Sequence, residues 1–118
     1  IAYNINLATD RLDVASAIAR RVRESSGGLP CVKALGLPLA HRDLVQVSMN
    51  LTDFRVTSMR TVFEAVAREA AAHGVGVLES EIVGLVPAAA LSDADARDLR
   101  VRDYDGSQIL ERRLARSA

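Results

Sequence analysis

Two short stretches of the sequence place uncharged hydrogen-bonding side chains at every second position. Asn4 and Asn6 lie near the start, and Gln46, Ser48 and Asn50 lie in Asp43-Leu-Val-Gln-Val-Ser-Met-Asn-Leu-Thr52. Side chains alternate across a β-strand, so each polar set shares a face, while Ile1, Tyr3, Ile5 and Leu7, and Val45, Val47, Met49 and Leu51, share the other. A face of amides and hydroxyls can hydrogen-bond a polar ligand, or it can simply be wet. Asn is depleted in strands because its side chain competes for backbone hydrogen bonds, and solvated faces are usually filled with Lys, Glu, Thr and Arg. The pattern favours a binding face, with a solvated face as the alternative.

Other chemistry-bearing residues are few. Glu79 and Glu81 share one face of a later strand, a spacing that sets two carboxylates side by side; charge guarding an edge strand is the competing reading. Lys33, the sole lysine, sits inside an apolar run and needs an anion, either a ligand carboxylate or a nearby Glu. His41 and His73 read as solvated loop or helix-end side chains, Cys31 as a small buried apolar residue, and Gly27-Gly28 as a helix stop rather than a phosphate cradle. No nucleophile–base pair, P-loop, dinucleotide fingerprint or zinc spacing is present, so no metal is expected.

The chain has 118 residues, 49% hydrophobic and 25% charged, which is ordinary globular composition for one domain. Its 15 basic and 15 acidic residues cancel, and aromatics are only 3%, so neither a cationic field nor a stacking platform for nucleic acid is available. No leader or membrane-spanning run is seen, so a cytoplasmic protein without membrane contact is expected. An opening on Ile1 that runs directly into strand is what a domain cut from a longer polypeptide would look like.

The elements that must hold the polar residues follow from periodicity. After the first strand, Thr9 or Asp10 is expected to cap a helix over about Asp10 to Glu24, with Val14, Ile18 and Val22 on one stripe and Ser25-Ser-Gly-Gly28 ending it. Pro30 to Leu37 reads as a strand, and Pro38 to Asp43 as a hairpin connection into the polar-faced strand. Thr57 is expected to cap a second helix through Met59, Val62, Phe63, Val66 and Ala70, closed at Gly74. Val75 to Val86 reads as the fourth strand. The order predicts an α+β, ferredoxin-like βαββαβ fold, a four-stranded antiparallel sheet with two helices on one face plus a C-terminal helical tail. The first and third strands become neighbours, which merges the two polar faces on the uncovered side. Residues 92–118 form a charged tail with short helical signals, to which no chemistry is assigned.

Ala2-Tyr-Asn-Ile-Asn-Leu7, Arg23-Glu-Ser-Ser-Gly-Gly-Leu29, Val32-Lys-Ala-Leu-Gly36, Gln46-Val-Ser-Met-Asn-Leu-Thr-Asp53 and Ser80-Glu-Ile-Val-Gly-Leu-Val-Pro87 together resemble the C-terminal subdomain of glutamate formimidoyltransferase. The resemblance covers residues 1–91. It implies a transferase of histidine degradation that moves the formimino group of N-formimino-L-glutamate to N5 of tetrahydrofolate, a co-substrate, with the folate in a tunnel between two subdomains. It also implies a missing N-terminal subdomain that carries the catalytic histidine; neither His41 nor His73 matches it, so no catalytic residue is assigned here, and a homodimer is expected. Among residues matching the motifs, Asn4, Asn6, Gln46, Ser48 and Asn50 are candidates to bind the pterin or the formimino-glutamate. Lys33 is a candidate for a glutamate carboxylate and Glu81 for an amino edge of the pterin. The alternative is a non-catalytic ferredoxin-like small-molecule-binding or dimerisation module.

Overall fold

The computed structural model describes residues 1–117. Strands β1 (Ala2–Leu7), β2 (Val32–Leu39), β3 (Leu44–Leu51) and β4 (Val77–Val83) form one sheet in the order β2-β3-β1-β4. Every neighbouring pair is antiparallel. Helices α1 (Leu12–Val22) and α2 (Met59–Ala72) intervene in a βαββαβ order, and the short helices α3 (Asp93–Asp98) and α4 (Leu110–Ser117) follow.

The alternation in β1 and β3 resolves as expected. Tyr3, Ile5, Leu7, Val45, Val47, Met49 and Leu51 are buried on the face that receives Val14, Ile18 and Val22 of α1 and Met59, Val62 and Val66 of α2. Five apolar side chains of α1 and five of α2 are buried, which is what the three- and four-residue spacing provides. Gly36 lets α1 lie against β2. A Cβ at that position would come within 2.6 Å of the Ser16 backbone nitrogen. Among the described residues no helix is long and apolar enough to cross a membrane.

Several element ends differ from expectation. Helix α1 starts after Arg11 without a side-chain cap; Thr9 Oγ1 instead accepts from the Arg11 backbone N–H. The cap of α2 is Ser58, whose Oγ accepts from the Thr61 N–H, because Thr57 turns inward and donates to the Pro30 carbonyl. Strand β4 begins at Val77 rather than Val75. The Val75 N–H still closes α2 through the Ala70 carbonyl, with Gly74 at φ 71 making the left-handed turn. Cys31 is partly exposed at φ 60 rather than buried.

The C-terminal segment packs along β4. Ser80 and Val101 form a parallel bridge, so the segment covers the outer edge of that strand. Leu91, Ala96, Leu99 and Ile109 are buried in the same cluster as the strands and helices.

Candidate functional site

The site is built on the sheet face opposite α1 and α2. Register places Asn4 between Ser48 and Glu81, and Asn6 between Gln46 and Glu79, so the polar residues of β1, β3 and β4 form a cross-strand grid. Side chains directly opposite one another are within hydrogen-bonding reach, and the grid is bonded throughout its centre. Asn6 Nδ2 donates to Glu79 Oε2 at 2.9 Å, Gln46 Nε2 donates to Asn6 Oδ1 at 3.0 Å and to Glu81 Oε1 at 3.3 Å, and Asn4 Nδ2 donates to Glu81 Oε1 at 3.1 Å. Although this is the uncovered face, Asn6 is 0% exposed, Gln46 5% and Asn4 8%. A buried amide without partners costs about 1–3 kcal/mol, so enclosure at this depth requires such a closed network.

The two carboxylates meet different surroundings. Glu79 is gripped by Arg42, whose Nη1 and Nη2 donate to Oε2 at 2.9 Å and Oε1 at 3.1 Å in a forked pair. Arg102 Nη1 lies 3.1 Å from the same Oε2. The Arg42 guanidinium beside it, helped by Asn6 and Arg102 and opposed by desolvation, holds the Glu79 carboxyl down to about 2. Among the described residues Glu81 accepts only from the amide N–H groups of Asn4 and Gln46 and makes no ion pair. Its Oε2 receives no hydrogen bond from the described residues, which leaves it for an N–H donor or a cation.

Toward the other end of the face, Lys33 is exposed directly opposite Asn50, and Leu35, 58% exposed, lies opposite Ser48. Ala2, Lys33, Leu35, Ser48 and Asn50 line a groove of about 350 Å³, and Lys33 also borders a hollow of about 420 Å³ with Arg23, Glu24 and Ser25. Among the described residues Lys33 has no glutamate within ion-pair distance. The face therefore grades from an anionic, amide-rich centre at Glu81 to a cationic edge at Lys33. His41 and His73 are exposed and lie in a turn and at a helix end.

The sequence pattern brings Asn4, Asn6, Gln46, Ser48 and Asn50 to one face, and the structure places them there together with Lys33, Glu79 and Glu81, whose alignment with that face the pattern left open. The pattern missed Arg42 and Arg102. Arg42 carried no alternation signal, because it ends the tight turn of residues 40–42 and Asp43, at φ 51, breaks the extended backbone before β3 begins at Leu44. Arg102 carried no local signal, since it is delivered by the pairing of Val101 with Ser80, 21 residues upstream.

The sequence is similar to known proteins over nearly its whole length. The formiminotransferase domain family matches residues 2–112. The chain is 44% identical over all of its 118 residues to glutamate formimidoyltransferase of Thermoplasma acidophilum, covering 39% of that protein. It is 44% identical over 115 residues to glutamate formimidoyltransferase of Streptococcus pyogenes serotype M1, covering 38%, and 45% identical over 102 residues to formimidoyltransferase-cyclodeaminase of Sus scrofa, covering 19%. The chain thus spans about two-fifths of the length of the first two relatives and one-fifth of the third. With the domain matched over nearly all described residues, the chain belongs to the formiminotransferase domain family.

Proposed function

We propose that this chain is the folate-binding subdomain of a glutamate formimidoyltransferase acting in histidine degradation. Residues 1–91 form its body, and the described part of the 92–118 tail docks along β4. The reaction would transfer a formimino group from N-formimino-L-glutamate to N5 of tetrahydrofolate, with the proton-transferring histidine supplied by a further subdomain. The observation that carries this reading is the graded polar face. Glu81 Oε2 and the amide groups around it suit the N–H donors of a pterin edge, while Lys33 and the groove beside Asn50 suit a glutamate carboxylate. Holding two substrates in register supplies much of the rate of such a transfer, and general acid–base help typically adds about 100- to 10,000-fold.

In this reading Asn4, Gln46, Ser48, Asn50, Lys33 and Glu81 face the ligands. Asn6 has no exposed surface and both ends of its amide engaged, so it supports its neighbours from behind. The test is calorimetric titration with 5-formyltetrahydrofolate, a stable relative of the formimino product, on this chain alone and in the full native polypeptide. Saturable binding in the full polypeptide, weakened by Glu81→Gln, supports the reading. Absence of binding by the folded full polypeptide refutes it.

A further inference from the structure

The amide groups at the centre of the grid have a single mutually consistent orientation, fixed from one end by Glu79 and from the other by Glu81. An Asn or Gln side chain can turn its oxygen and nitrogen about, and only its partners decide which way it points. Asn6 Nδ2 faces Glu79 Oε2, which accepts and never donates while ionised, so Asn6 must offer Oδ1 to Gln46. Gln46 in turn spends Nε2 on Asn6 Oδ1 and Glu81 Oε1. Its Oε1 is left without a partner among the described residues. Among the described residues the only wholly buried side-chain polar atom without a partner is Tyr3 Oη, so Gln46 Oε1 reaches the open face. Gln46 Oε1 and Glu81 thus stand next to each other as two acceptors.

Glu79 itself is not free to meet a ligand. Its two oxygens already receive the fork of Arg42, the amide of Asn6 and the guanidinium of Arg102. Arg102 reaches it because Ser80 pairs with the segment around Val101, the Arg102 N–H donating to the Ser80 carbonyl at 2.8 Å and the Ser80 N–H to the Arg100 carbonyl at 3.0 Å.

We infer that Glu79, clamped between Arg42 and Arg102, is a positioning residue that sets the donor–acceptor pattern of the site through Asn6 and Gln46, making the C-terminal segment part of the recognition machinery. The pattern selects ligands that present adjacent N–H donors to Gln46 Oε1 and Glu81. This rests on the folate reading for the identity of the ligand, and on the hydrogen-bond chain alone for the positioning.

The experiment combines two readouts in the full native polypeptide, using Glu79→Gln, Arg102→Gln, Gln46→Ala, Glu81→Gln and the Glu79→Gln/Gln46→Ala pair. The first is the side-chain amide NMR signals of Asn6 and Gln46 without ligand. Glu79→Gln is expected to move both, and Arg102→Gln, which leaves the carboxylate in place, to move the same signals by less. The second is the Kd for 5-formyltetrahydrofolate. Glu79→Gln is expected to weaken binding about tenfold, the scale of one lost charge-assisted hydrogen bond, and to add nothing once Gln46 is Ala. An equal loss in both backgrounds would mean that Glu79 acts without Gln46, and the inference is overturned. If Gln46→Ala and Glu81→Gln both leave Kd unchanged, the folate reading fails, and the amide signals alone decide the positioning: movement supports it, and unmoved signals overturn it.

Discussion

Replacing Glu79 by Gln should convert a pH-dependent part of the stability into a pH-independent one. In the folded protein the Glu79 carboxyl is held at about 2 against an ordinary 4.5, chiefly by Arg42, with Asn6 and Arg102 assisting. A carboxyl whose folded value is depressed contributes stability that is fully present above its unfolded value and lost as pH falls through the folded one. The shift corresponds to on the order of 3 kcal/mol, and the solvent still reaching a side chain 17% exposed reduces this to about 2 kcal/mol. Urea unfolding of the wild type and Glu79→Gln from pH 7 to pH 2 measures it. Other carboxyls held low, such as Asp13, Asp53, Asp93 and Asp95, contribute their own acid slope to both proteins and cancel in the difference. The gap between the two proteins should be about 2 kcal/mol above pH 5 and should close between pH 4.5 and 2. A gap that stays constant down to pH 2, or no gap at pH 7, refutes the clamp as described.

Three further outcomes follow from the packing. Gly36→Ala should cost about 2–3 kcal/mol in denaturant unfolding, because the added Cβ meets backbone atoms of Ala15 and Ser16 at 2.6–2.8 Å and α1 must move off the sheet. Tyr3→Phe should change thermal stability by less than about 1 kcal/mol in either direction, since the wholly buried hydroxyl makes no well-formed hydrogen bond, and burial, which pushes the phenol up, is only partly offset by the Ser80 side chain beside it. Lys33→Ala should leave thermal stability unchanged while weakening 5-formyltetrahydrofolate binding a few-fold in calorimetry, the scale of an exposed charge pair.

How far the site could be read from sequence depended on how local each cause was. Alternation alone put Tyr3, Ile5 and Leu7 on one face of β1 and Asn4 and Asn6 on the other, because a strand side chain's direction is fixed by its own backbone. The same logic grouped Gln46, Ser48 and Asn50, and the order of strands and helices placed β1 beside β3. Burial was not legible. Asn6 is enclosed because Arg42, Glu79 and Gln46 close over it, and three of these four lie in separate elements far apart in sequence. Glu79 and Glu81 were visible as a pair, but their unlike surroundings depend on Arg102, brought in by the β4 edge pairing. The helix starts failed for a smaller reason. Thr57 and Ser58 are adjacent hydroxyls, and only the position of the Pro30 carbonyl determines which one is left to cap α2.

The most direct test of the folate site is to map chemical-shift changes in the full native polypeptide as 5-formyltetrahydrofolate is added. The largest changes are expected on Gln46, Ser48, Asn50, Glu81 and Lys33, with Ser16 and Arg68 on the helical side unmoved. Changes concentrated on the helical side, or none along the open face at saturation, would contradict the folate site.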